Sequence, residues 1–214
     1  MVIHGTPHFL GLFEKRVEGD DSLLELARYY FKKAGLGTEF YVDSPAALTH
    51  LLTFKPATET VVMIHLAREI DLLNESDIEF IIHMARQFSE RILGLVIHDR
   101  KEMCTRRGDY LKVLQKLNAR LGEMPGRPFL FIEYAAGLNI NFFIDLFETI
   151  RDLDHISACI DIGHIGLQQT RLIYSGEFIN EDVCALSPAD RTRSGVGLFA
   201  AACGVSIVTM MLER

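Results

Sequence analysis

Apolar positions in this chain follow two alternating patterns, short unbroken runs and longer stretches with helical spacing. Runs over residues 39–42, 61–66, 92–97, 129–132 and 156–162 have the length and β-branched content of strands buried on both faces, as in parallel sheets. A short first strand is expected at Val2-Ile3-His4-Gly5. Between the runs lie helical segments. Ser22 opens a capping-box spacing with Glu25, followed by Leu23, Leu26, Ala27, Tyr30 and Phe31 on one stripe, and Gly35 and Gly37 end it. Asp43-Ser44-Pro45 suits a helix start, since proline is tolerated in a first turn. A second capping box, Ser76 with Glu79, precedes Ile82, Ala85 and Phe88. Further helices are expected over 109–121 and 140–153.

The pattern weakens after residue 162, where helices over 167–174 and 197–203 and strands over 183–186 and 205–212 complete the reading. Six to eight alternating units without a long polar linker predict one α/β domain over residues 1–214. Strands apolar on both faces favour a closed (β/α)8 TIM barrel over an open doubly wound sheet. At 214 residues the barrel would be short or incomplete at its C-terminal end, and a missing last helix would leave apolar surface for a partner copy, hence a homo-oligomer.

Composition narrows the function classes. A formal charge of -7 argues against a surface that tracks nucleic-acid phosphates, and only Arg100, Lys101, Arg106 and Arg107 approach a basic cluster. No apolar run reaches membrane length and no signal-like start is seen, so a cytoplasmic protein with no membrane association is expected. The four cysteines, Cys104, Cys159, Cys184 and Cys203, have no metal-type spacing and read as reduced thiols.

The ionisable residues then fall into register with the strands. His65, His98, Glu133 and Asp161 each stand at the carboxyl end of an expected strand, 33, 35 and 28 residues apart, close to one repeating unit. In a barrel these side chains would converge on the mouth where such folds place their chemistry, with His164 beside them and Glu213 joining from the last strand. Imidazole nitrogens with carboxylate oxygens make a mixed set that suits Zn2+ or Mn2+, and without thiolates a closed structural zinc site is disfavoured. His50 and His83 fall on helices and read as surface or packing residues, and His155 shows no partner in the sequence.

The segments Ile64-His65, Val96-Ile97-His98, Phe131-Ile132-Glu133-Tyr134-Ala135-Ala136-Gly137 and Cys159-Ile160-Asp161-Ile162-Gly163-His164 together resemble the xylose isomerase-like TIM barrels. That superfamily includes the type-IV AP endonucleases and many sugar and sugar-phosphate isomerases and epimerases. The resemblance covers roughly residues 60–165. It implies metal ligation by Glu133 and Asp161, and by Glu213, which is similar to the last-strand glutamate that ligates metal and exchanges a substrate proton. His164 resembles a substrate contact of the isomerases or a zinc ligand of the endonucleases, and His65 and His98 resemble the endonucleases' extra zinc ligands. The chain departs from the pattern in three places: no histidine follows His164, Tyr134 stands where asparagine is common, and Asp99-Arg100 follows His98 where the endonucleases favour Pro-Gly.

Three functions follow as expectations. The first is a metal-dependent isomerase or epimerase of a small sugar or sugar phosphate, with the metal on Glu133, Asp161, Glu213 and His98. There Glu133 or Glu213 moves the α-proton, and His164, Arg100, His65 and His98 contact substrate. The second is a zinc-dependent AP endonuclease-like phosphodiesterase. The third is a degenerate barrel kept as a non-catalytic binding module.

Overall fold

The structure, a computed structural model, describes residues 10–12, 21–42, 44–52, 62–135 and 137–160. They belong to the unit Met1–Cys159, apart from Ile160, which belongs to a second unit, Ile160–Arg214. The elements are β1 (Leu10–Leu12), α1 (Asp21–Lys33), β2 (Gly37–Tyr41), α2 (Pro45–Leu51), β3 (Val62–His65), α3 (Glu75–Phe88), β4 (Gly94–His98), α4 (Glu102–Thr105), α5 (Arg107–Gly122), β5 (Phe129–Glu133), α6 (Ile140–Thr149) and β6 (Ile156–Cys159).

The six strands form one sheet in the order β1-β2-β3-β4-β5-β6, and every neighbouring pair is parallel. Each strand pairs with the next in sequence, so among the described residues there is no reversal of strand order of the kind that marks a doubly wound sheet. What is established is a parallel α/β sheet. The strands expected over 183–186 and 205–212, and with them barrel closure, lie outside the described residues.

Alternation along the strands separates two faces. Phe40, Ile64, Leu95, Ile97, Leu130 and Ile132 are almost fully buried, and burying each such side chain contributes about 1.5–3 kcal/mol. Helix residues Ile81, Ala85, Leu114 and Leu117 are equally inaccessible. Arg28 on α1 is buried with them: its Nη1 donates to the Leu51 carbonyl at 2.8 Å and its guanidinium lies 4.9 Å from the centre of the Phe40 ring. Burial pushes the Arg28 pKa down to about 10, which still leaves it charged at neutral pH. The opposite strand positions carry Glu39, Tyr41, His65, His98 and Glu133.

Some expected elements differ in their bounds, and others lie outside the described residues. The strand expected at residues 2–5 lies outside the described residues, and the first described strand is Leu10–Leu12, whose central Gly11 weakens any β signal. The helix boxed at Ser76 begins at Glu75, because Asn74 caps it by accepting from the Ser76 N–H at 3.0 Å. The helix boxed at Ser22 begins at Asp21. The four-residue helix α4 was not anticipated, being too short to show a period. Strand β6 is described only as far as Cys159, and the helix after β5 ends at Thr149 rather than 153. Gly35 does end α1, with φ at +72° in the left-handed region that glycine adopts without strain.

Candidate metal centre

Strands β3, β4 and β5 each end on an ionisable residue: Val-Met-Ile-His65, Leu-Val-Ile-His98 and Leu-Phe-Ile-Glu133. Apolar residues fix each strand in the sheet, and the polar residue falls where the chain leaves it. His98 and Glu133 are direct register partners on β4 and β5. His65 stands opposite Val96, two residues before His98, so parity puts all three side chains on one face.

Their donor atoms meet in a triangle. His65 Nε2 lies 3.2 Å from His98 Nε2 and 3.2 Å from Glu133 Oε2, and His98 Nε2 lies 3.4 Å from Glu133 Oε2. Glu133 is 2% exposed and His65 is buried. A carboxylate this deeply buried is costly unless positive charge or hydrogen bonds offset it.

A fourth residue sets the chemistry of the triangle. Glu39 on β2 places Oε1 2.7 Å from His65 Nδ1. An ionised carboxylate only accepts, so the hydrogen-bond network assigns a proton to Nδ1. In the neutral ring this turns the Nε2 lone pair toward His98 and Glu133. Three electron-rich atoms at such separations repel unless a cation or a shared proton lies among them. Tyr41 stacks on the same imidazole, with ring centres 5.0 Å apart and planes inclined by 24°.

The spacing fits a metal. Bonds of about 2.0–2.2 Å at tetrahedral angles separate zinc ligands by about 3.3–3.6 Å, whereas octahedral magnesium at about 2.0–2.1 Å brings neighbouring ligands to about 2.9 Å. The observed 3.2 to 3.4 Å is a separation that ligands of one metal ion can adopt. His65, His98 and Glu133 can therefore hold a metal ion.

Beside the triangle, Asp99 organises the loops. Its backbone N–H donates to the Glu133 carbonyl at 2.9 Å. Its buried carboxylate accepts from the N–H groups of Ala135 (2.9 Å), Gly137 (2.9 Å) and Leu138 (2.7 Å). Tyr134 is buried and packs edge-on against Phe143.

Of the residues predicted for the site, the structure brings together His65, His98 and Glu133. Asp161, His164 and Glu213 lie outside the described residues. Arg100 is engaged elsewhere: Nη1 donates to the Glu69 carbonyl at 3.3 Å, and its guanidinium pairs with Asp71 at 3.9 Å and Glu102 at 3.7 Å. His50 and His83 are exposed, as expected. His155 does have partners. It is buried just before β6, where Arg127 Nη2 donates to its Nε2 at 3.1 Å and Phe129 packs on its ring.

Glu39 and Asp99 were missed. Glu39 lies two residues before the end of β2, and its signal was the Glu39/Tyr41 alternation against Thr38/Phe40. Asp99 followed His98 in plain view, but its three acceptor contacts depend on the fold of residues 36 to 39 positions later.

Compared with protein-family models, curated proteins and solved structures, the chain matches none. The functional reading therefore rests on the site itself. No helix among the described residues is long and apolar enough to cross a membrane.

Proposed function

We propose that this chain is a divalent-metal-dependent isomerase or epimerase acting on a small sugar or sugar phosphate. The observation that carries the reading is the convergence of His65 Nε2, His98 Nε2 and Glu133 Oε2 at the carboxyl ends of three successive parallel strands. These residues would hold Zn2+ or Mn2+, which when bound polarises a substrate carbonyl or hydroxyl oxygen. Glu39 holds the His65 ring, and Asp99 fixes the loop that follows Glu133. In this reading Glu133 would also move the α-proton. Arg100 would contact the substrate in this reading, and Asp161, His164 and Glu213 lie outside the described residues.

Metal analysis of the purified protein should find about one zinc or manganese per chain, lost in Glu133→Gln and His98→Ala. A panel of aldoses, ketoses and their phosphates incubated in D2O should show deuterium entering α to the carbonyl, dependent on added metal. Wild-type protein that neither retains nor binds either metal, or metal content unchanged in Glu133→Gln, would sink the reading.

A second reading, a zinc-dependent phosphodiesterase, is favoured by the two imidazoles in the ligand set, and the formal charge of -7 weighs against it. Zinc-dependent nicking of abasic-site DNA above the Glu133→Ala control would replace the first reading with the second.

A further inference from the structure

Glu39 touches His65 from the side away from the other two donors of the triangle. We infer that Glu39 is a positioning residue, which selects the Nδ1–H tautomer of His65 and so presents Nε2 as a metal ligand. The inference rests on the metal reading above and adds a residue on β2 to a site otherwise built from β3, β4 and β5.

Register places Glu39 beside Met63, two residues before the level of His65, and Tyr41 beside His65 itself. The Glu39 side chain therefore reaches along the sheet to Nδ1, while Tyr41 covers the ring face. Together they restrict the imidazole in proton position and in plane. A carboxylate on the far nitrogen of a metal-bound histidine also makes that ligand more basic, and losing such a partner weakens metal binding about 10- to 100-fold. A His65 protonated on both nitrogens would instead pair with Glu39 and Glu133 together, a state that the metal-free spectra distinguish from the Nδ1–H tautomer.

The test separates tautomer from affinity. Long-range nitrogen–proton correlation spectra of the metal-free full-length protein at neutral pH should show His65 carrying its proton on Nδ1 in the wild type and in Glu39→Gln, whose amide oxygen still accepts. In Glu39→Ala the proton should move substantially to Nε2. Zinc titration against a chromophoric chelator should give a Kd about 10- to 100-fold weaker in Glu39→Ala, with Glu39→Gln in between. A wild-type His65 protonated on Nε2, alone or on both nitrogens, would overturn the inference, as would Glu39→Ala binding zinc within twofold of wild type. Absence of zinc binding by the wild type would count against the metal reading, while the metal-free spectra would still decide the role of Glu39. Should Glu39→Ala fail to fold, Glu39→Leu, closer in volume and equally unable to accept, takes its place.

Discussion

Replacing Asp99 should loosen the loop behind Glu133 more than any other single change at the rim. Asp99 is 4% exposed, and three backbone N–H groups converge on its carboxylate at 2.7 to 2.9 Å. Hydrogen bonds to a charged group contribute about 1.5–3 kcal/mol each, and a buried N–H left unsatisfied costs about 1–3 kcal/mol. The three share one acceptor group, and water can reach half-buried Ala135 and Gly137, so the sum is not additive. Asp99→Ala should then cost about 3–5 kcal/mol, a large part of a typical domain's stability of about 5–15 kcal/mol. Asp99→Asn can keep its oxygen toward Ala135 and Gly137, but its amide then faces the Leu138 N–H, donor against donor, for about 2 kcal/mol. Native-state hydrogen exchange reads this locally: a loss of 3 kcal/mol speeds exchange by about 150-fold at the amides of 135, 137 and 138. The expected order is wild type slowest, Asp99→Asn next, Asp99→Ala fastest. Exchange at those three amides within threefold of wild type in Asp99→Ala would refute the reasoning.

Two further predictions test the surroundings. Gly137→Ala would place a Cβ 2.2 Å from the Asp99 carbonyl oxygen, which only a backbone shift relieves, so urea unfolding should show a loss of about 1–3 kcal/mol and the variant should bind zinc more weakly. A stable variant with unchanged zinc affinity would mean the two loops are not in contact as described. At Asp71, burial opposes ionisation but is outweighed by hydrogen bonds from the Leu73 N–H and the Tyr110 hydroxyl and by the charges of Arg100 and Arg106, so the carboxyl titrates below the usual range. Its contribution to stability is therefore complete above the ordinary carboxylate range and is lost as pH falls through the lowered native value. Tyr110→Phe removes the 2.7 Å hydroxyl bond, so neutral-pH stability should fall by about 1–2 kcal/mol, and the acid-side loss should be smaller and complete at a higher pH. Acid titrations of stability that superimpose for the two proteins would rule this out.

Much of the sheet was legible because its strands are apolar runs that stop abruptly at a polar residue. Val-Met-Ile-His65 and Leu-Val-Ile-His98 announce both the strand and its end. The strand-end interval of about one unit then predicted that His65, His98 and Glu133 would share a neighbourhood, and they do. Helix starts were harder to place. Asn74 and Ser76 are both good caps two residues apart, and the structure uses Asn74, with the Ser76 hydroxyl donating to its Oδ1 at 2.8 Å. Glu39 was overlooked for a different reason. A carboxylate inside a strand reads as an ordinary solvent-facing residue until the neighbouring strand's register shows which side chain it meets.

That register also distinguishes the three ligands from one another. His98 and Glu133 are paired residue to residue across β4 and β5, so backbone hydrogen bonding alone brings their side chains together. His65 is level with Val96, two residues short of His98, which at about 3.3 Å per residue is an offset of about 6–7 Å along the strand. Yet its Nε2 comes within 3.2 Å of both partners, so the imidazole itself must span the offset. A ring reaching that far has rotamer freedom that the sheet does not remove. The Glu39 carboxylate on Nδ1 and the Tyr41 ring on its face supply that restriction. The site thus has a pair of ligands preset by the backbone and a third held by side chains from β2. Changes on β2 should accordingly weaken metal binding while leaving the His98–Glu133 pair in place, whereas changes that shift the β4–β5 register should abolish it.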